Sequence, residues 1–291
     1  MKNNAKKLKS KLGGLYIAPA MILLFMFLLV PLVYALYCGF FQLKYMNKGT
    51  FLGLKNYIWC LTDPTIQNSY KVTFIVTFCS TIITVVLGLL LALWIDNKRG
   101  LFAYSIEMIG LIPWVISMVV AGILWSWILN ADLGLWGYFT SIFTKEKIYV
   151  FNNKTYSLVA LIFVMSWRTV GYSMVMLLAG LKSLDTSLIE AAEIDGANSF
   201  QLLTKIKLPL IMTNFLLSLI VLTVSNFTNN TVPRVLTNGG PSNATNVITL
   251  MQYQMSFDLY EFGRSSALSV LIMLITAVII WFYMKVTKYE L

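Results

Sequence analysis

The sequence of 291 residues contains no histidine. Imidazole metal ligation and histidine-based acid–base chemistry are therefore excluded outright. Charge is scarce as well. Asp, Glu, Lys and Arg together make up 12% of the chain, where a soluble domain carries about a quarter. Cysteine is limited to Cys38, Cys60 and Cys79, scattered and without C-x-x-C spacing. Neither a disulfide framework nor a zinc site is expected from them, and no metal site is assigned; they read as apolar fillers. No Gly-Lys dipeptide occurs anywhere, so the phosphate cradle G-x-x-x-x-G-K-S/T is absent and the chain cannot bind ATP through a P-loop. Paired carboxylates and a nucleophile–base arrangement are also missing, so no catalytic residue is assigned and an enzyme is not expected.

What is present is apolar: 58% of the chain is hydrophobic and its mean hydropathy is +0.75. Such a chain needs lipid as its solvent. About 20 apolar residues span a bilayer, and six such runs occur, at 15–40, 72–95, 106–129, 157–181, 208–226 and 265–285. The first run is too long for a signal-peptide core and lacks a following A-x-A cleavage site, so it should remain as a helix. The fold expected is all-α and integral to the membrane, with six transmembrane helices. Its organisation is a basic tail over 1–12 and a membrane domain over 13–291. Pro113 should kink the third helix or mark its start.

Net charge is +10. A nucleic-acid partner is rejected, because the cations sit at the ends of apolar runs rather than in a patch between aromatics. Orientation follows from their distribution. The tail carries Lys2, Lys6, Lys7, Lys9 and Lys11, and the segments on the same side add Lys98, Arg99, Lys182, Lys205, Lys207, Lys285 and Lys288. The opposite loops carry fewer, so both termini are expected in the cytosol.

One substantial loop, 182–208, then lies inside the cell. Ser187-x-x-Glu190 reads as a capping box that starts a helix. Gly196 can take the left-handed conformation that ends it, Ser199 can cap a second short helix, and Pro209 suits the first turn of the fifth span. Ala191 and Ala192 keep the first helix thin enough to enter a groove. A capped hairpin alone would merely join two spans.

The residues of this loop say more. Glu190-Ala191-Ala192, Asp195-Gly196-Ala197 and Ile206-x-Leu208-Pro209 together resemble the EAA motif of binding-protein-dependent ABC import permeases. Phe51-x-Gly53-Leu54-x-Asn56-Tyr57, Leu178-Ala179-Gly180-Leu181 and Leu236-Thr237-Asn238-Gly239-Gly240-Pro241 resemble the carbohydrate branch, in particular the maltose-type permease subunits. The resemblance implies a type I importer fold in the bacterial cytoplasmic membrane and import of a di- or oligosaccharide. It implies four partners: a second, homologous permease chain, two cytosolic ATPases that hold ATP and Mg, and an extracellular or periplasmic solute-binding protein. The loop residues Glu190, Ala191, Ala192, Asp195, Gly196, Ala197, Ile206, Leu208 and Pro209 would couple to the ATPase.

Polar side chains within the spans are the candidates for a substrate path. Arg168 and Tyr172 lie four apart on the fourth helix beside Trp167. Asn226, Asn229 and Asn230 lie at helical spacing at the end of the fifth. Trp114, Ser117 and Trp125 belong to the third. Rings can cover the C–H faces of a sugar while amides and guanidinium bond its hydroxyls. Each residue alone is better explained by an interfacial aromatic belt or by interhelical hydrogen bonds; the cluster as a whole reads as a substrate path. The rival function is an ion-coupled secondary transporter, but a proton-coupled one usually needs carboxylates or histidine within the membrane, and the loop motif has no part in such a carrier.

Overall fold

The computed structural model describes residues 16–45, 47–98 and 100–287. The basic tail, Arg99 and Lys288, on which much of the orientation argument rests, lie outside these. Among the described residues, four helices are long and apolar enough to cross a bilayer: α1 (Tyr16–Gly39), α3 (Pro64–Asp96), α7 (Lys154–Lys182) and the greater part of α13 (Phe262–Thr287). The third and fifth runs are not single rods. The third is α4 (Leu101–Val115) followed by α5 (Met118–Ile128), bent by 95°. The fifth is α9 (Ser199–Leu210) followed by α10 (Met212–Phe227), bent by 73°.

The third-run break has a local cause. Ile116 and Ser117 are both extended, with ψ of 136° and 140°. Pro113 lies inside the last turn of α4, so it neither starts the span nor sits at the bend; the chain leaves the helix after it. In the fifth run, Pro209 does not open the spanning helix. It sits near the end of α9, next to a π-helical stretch over Leu202–Lys207, and α10 begins only after Ile211. Proline has no N–H to donate, and the helical register is interrupted just beyond it.

The chain divides into two compact units. The first takes the described residues up to Asp63 together with 254–273. It departs from the all-α expectation in one place. After α1, the strands β1 (Phe41–Lys44) and β2 (Asn47–Phe51) form an antiparallel hairpin, and α2 (Lys55–Thr62) follows. The buried Asn56 amide donates to the carbonyls of Gly39 (2.9 Å) and Phe41 (3.0 Å), pinning α2 to the end of α1. Glu261 accepts from Arg264 at 3.0 Å and from Lys44 at 3.4 Å, and the Arg264 guanidinium stacks 4.0 Å over the Trp59 ring.

The second unit takes the described residues of 64–253 and those from Leu274 on. It adds α6 (Leu135–Thr144), α8 (Thr186–Ile194), α11 (Thr231–Leu236) and the first six residues of α12 (Ile248–Phe257), whose last four belong to the first unit. Its centre is the pairing of α3 with α7. Ser69, Thr73, Thr77, Ser80, Thr81, Thr84 and Gly88 make a stripe at helical spacing along α3, and its hydroxyl residues are buried. Small residues let helix backbones approach closely where lipid offers no hydrophobic drive to associate. The hydroxyls then find partners across the interface: Thr84 and Thr169 pair at 3.0 Å, and Ser166 donates to the Ser80 carbonyl at 3.4 Å. A Cβ on Gly88 would fall 2.6 Å from Ser173. Gly171 plays the same part towards α4, where a Cβ would fall 2.1 Å from the Gly110 carbonyl.

Candidate functional site

The 182–208 loop begins where α7 ends. Ser183 caps that helix and its hydroxyl donates to the Gly180 carbonyl at 2.7 Å. Two residues later the chain starts α8. The N-cap is Asp185, not Ser187: its carboxylate accepts from the Ser187 N–H at 3.0 Å. That backbone hydrogen bond holds the Asp185 carboxyl below its ordinary pKa. The same substitution of one cap for its neighbour occurs at the second helix. Asn198, not Ser199, caps α9 in a full capping box, exchanging 2.9 Å hydrogen bonds with Gln201. Asp and Asn are at least as good N-caps as serine, and here each sits one or two residues before the serine that the sequence pattern favoured.

The end of α8 is a Schellman turn. The Ala197 N–H donates to the Ala192 carbonyl and the Gly196 N–H to the Glu193 carbonyl, both at 3.0 Å. This pairing needs a left-handed residue at Gly196, and its φ is +84°. A Cβ there would meet nothing within 4 Å, so the requirement comes from the backbone conformation alone.

The loop presents an unusual surface. Glu190, Ala191, Glu193 and Asp195 are exposed, while Ala192 is buried and Ala197 half-buried. Ile194 is 86% exposed, Phe200 73% and Leu188 51%. Large apolar groups beside acidic ones, on the short capped helix α8 and the first turn of α9, form a surface suited to a protein groove. The return path is anchored. Leu208 packs against a buried cluster that includes Ile211, Ile95 of α3 and Leu177, Leu178 and Leu181 of α7. Ile206 is half-buried and Pro209 exposed. The Lys207 ammonium reaches the Asp96 carboxylate at the end of α3, 3.1 Å away.

The candidate substrate-path residues are brought together only in part. Arg168 stands at the middle of α7 and is buried. Its Nε has no hydrogen-bond partner, and among the described residues its guanidinium forms no ion pair. Tyr172, one turn on, meets Trp114 at a tilt of 33°, with ring centroids 5.6 Å apart. Trp167 meets Trp125 edge-on at 5.4 Å. The asparagines do not share a helical face. Asn226 lies in α10 and donates to Thr81 of α3 at 3.1 Å. Helix α10 ends at Phe227, so Asn229 and Asn230 fall in the break before α11. Asn229 accepts from the Val232 N–H at 3.0 Å and its backbone carbonyl accepts from Thr249 at 3.1 Å. Asn230 accepts from the Thr231 hydroxyl at 3.2 Å. Asn226 and Asn229 thus do structural work in the described state.

Sequence reasoning missed Asp96, whose partner Lys207 lies 111 residues away. No local pattern signals such a pair. The Ser/Thr stripe on α3 was legible in principle from its spacing.

Comparison with known proteins bears on this arrangement. Residues 72–288 match the family described as binding-protein-dependent transport system inner membrane component. The trehalose/maltose transport system permease protein MalF of Thermococcus litoralis is 30% identical over 295 residues, covering 100% of this chain and 99% of that protein. The sulfoquinovosyl glycerol transport system permease protein SmoG of Agrobacterium fabrum is 27% identical over 279 residues, covering 95% and 90% respectively. Among solved structures, a chain of a bacterial ABC transporter that imports the acidic polysaccharide alginate superposes with a TM-score of 0.86 at 19% identity, over 99% of each chain. The fold of the two chains is the same.

Proposed function

The chain belongs to the family of binding-protein-dependent transport system inner membrane components, and from that premise we propose that it is the permease subunit of an ATP-driven importer of a di- or oligosaccharide. The observation that carries the reading is helix α8. It is capped at both ends, exposed, and presents Glu190, Ala191, Ile194 and Asp195 from a Schellman turn whose glycine the motif supplies. A short rigid helix held off the bundle can dock in a cleft of an ATPase and pass on its movement.

Six spans, two of them bent, and cytosolic termini accord with this placement, because α8 must then face the cytosol. The chain has no Gly-Lys dipeptide, so ATP and Mg would be held by two separate ATPase chains. A second permease chain would complete the pathway, and an external binding protein would deliver the sugar. The sugar class draws on relatives named for trehalose/maltose, sulfoquinovosyl glycerol and starch degradation products. Arg168, with Trp167, Tyr172 and Trp114 nearby along the helices, would offer donors and rings to the passing solute; Asn226, Asn229 and Asn230 would have to exchange their present partners to join.

The test is purification and transport. A tagged chain expressed with its neighbouring genes should bring an ATPase with it, and vesicles holding the complex should take up a labelled maltose, trehalose or maltotriose with ATP and binding protein present. Solute uptake driven by an ion gradient without ATPase would overturn the proposal.

A further inference from the structure

We infer that the Asp96–Lys207 ion pair delivers the displacement of α8 to the α3–α7 core, which makes both residues positioning residues for coupled transport. The inference rests on the coupling role proposed above for α8. Three observations carry it.

The first is location. Lys207 closes the π-helical stretch of α9, and Asp96 is the last residue of α3. Their side chains are 11% and 19% exposed, and the Nζ to Oδ2 distance is 3.1 Å. The pair is more buried than Lys182–Glu107, which is 3.6 Å long with side chains 51% and 25% exposed. Among the described residues it is the only ion pair formed by the segment 183–211.

The second is electrostatic. A carboxylate at a helix C-terminus faces the negative end of the helix dipole. Asp96 is thus badly placed unless a cation sits beside it. Lys207 supplies that cation, and removal of either partner leaves a partly buried charge uncompensated. The bond is therefore one that resists separation, unlike an exposed surface pair.

The third is what lies on either side. From α8 the chain runs through the Schellman turn and the Asn198–Gln201 capping box into α9, with no long flexible link. Beyond the pair it breaks at Ile211, where the direction changes by 73°. A push on α8 thus turns α9 as a lever about that bend; Lys207 is the charged hold of the lever on α3, beside the apolar contact of Leu208 and Ile211 with Ile95. Helix α3 in turn carries Thr81, bonded to Asn226 of α10, and Thr84, bonded to Thr169 of α7.

The experiment uses the full complex of permease chains, ATPases and binding protein in proteoliposomes. The solute is whichever of labelled maltose, trehalose and maltotriose the unaltered complex carries fastest. Asp96→Asn and Lys207→Met should each still assemble and hydrolyse ATP, but should carry about tenfold less solute per ATP, a loss in the range of coupled neighbouring sites. Lys207→Arg and the exchanged pair Asp96→Lys with Lys207→Asp should recover most of that loss. Unchanged solute per ATP in the single variants, an exchange no better than either single variant, loss of the ATPase from the complex, or an equal loss in Glu107→Gln would each overturn the inference. A disulfide or crosslink from Glu193→Cys to the ATPase checks the underlying reading separately. If it forms while the single variants transport normally, the coupling role of α8 stands and the role of the pair falls.

Discussion

Gly196 offers the sharpest test of how the loop works. Its φ of +84° is fixed by two hydrogen bonds, from its own N–H to Glu193 and from the Ala197 N–H to Ala192. Space is open where a Cβ would project, so replacing it with alanine incurs no clash. The cost is the left-handed backbone of an L-residue, about 1–2 kcal/mol. At the lower end this cuts the ordered turn about fivefold relative to the disordered loop. Asparagine tolerates the same conformation and should lose less. Proline cannot reach it and also deletes the N–H that bonds Glu193, so Gly196→Pro should cost roughly 3 kcal/mol or more. The order of transport rates, in vesicles with the complete complex, should therefore be glycine, asparagine, alanine, proline. Quantified co-purification of the ATPase should follow the same order. Alanine and proline variants equal to each other, or both equal to the unaltered protein, would refute the reasoning from the turn.

Further outcomes follow from other parts of the molecule. Asp185 accepts from Ser187, and this hydrogen bond lowers its pKa; the contribution is present above the ordinary carboxylate pKa and is lost only as pH falls through the lowered folded value. Coupling measured from neutral to mildly acidic pH should thus show no loss from this cap, and Asp185→Asn, which keeps an acceptor, should match the unaltered protein. Asn229→Ala removes the acceptor for Val232 at the start of α11 and should destabilise the chain by about 1 kcal/mol, seen as a lower melting temperature in detergent, while Tyr172→Ala should slow transport to an extent that depends on sugar length and leave ATP hydrolysis intact. The buried thiol of Cys60, pushed up to about 12 mainly by desolvation, should resist maleimide in the native protein and react after denaturation. A single cysteine placed at Glu193 should be labelled from the cytosolic side of the membrane and not from outside; labelling from outside would reverse the orientation.

Composition and run length made the membrane character and the number of apolar segments legible, because lipid imposes those lengths directly. The bends were not. Nothing in the sequence around Ile116 and Ser117 marks an extended pair within an apolar run, and Pro113 drew the expectation a few residues too early. At the loop, the sequence indicated two capped helices and a left-handed Gly196, and that architecture is present. The caps themselves moved to Asp185 and Asn198, since several adjacent residues can each serve and the backbone path chooses among them. The asparagines near 226–230 were read as one face by their spacing, but α10 stops at Phe227 and the rule of helical spacing ends with it. Asp96 and Lys207 meet through tertiary packing that no local pattern encodes.

The exposed apolar groups of the loop bear on how a cell must make this protein. Ile194, Phe200 and Leu188 stand outside the bundle, where a chain still awaiting its companions would offer them to chaperones and proteases. If the loop docks on a partner as proposed, such a surface would make the lone subunit short-lived and tie its abundance to that of the partner. Synthesis in excess would then yield degradation rather than a surplus of idle pores, and the stoichiometry of the assembly would be set after translation by survival.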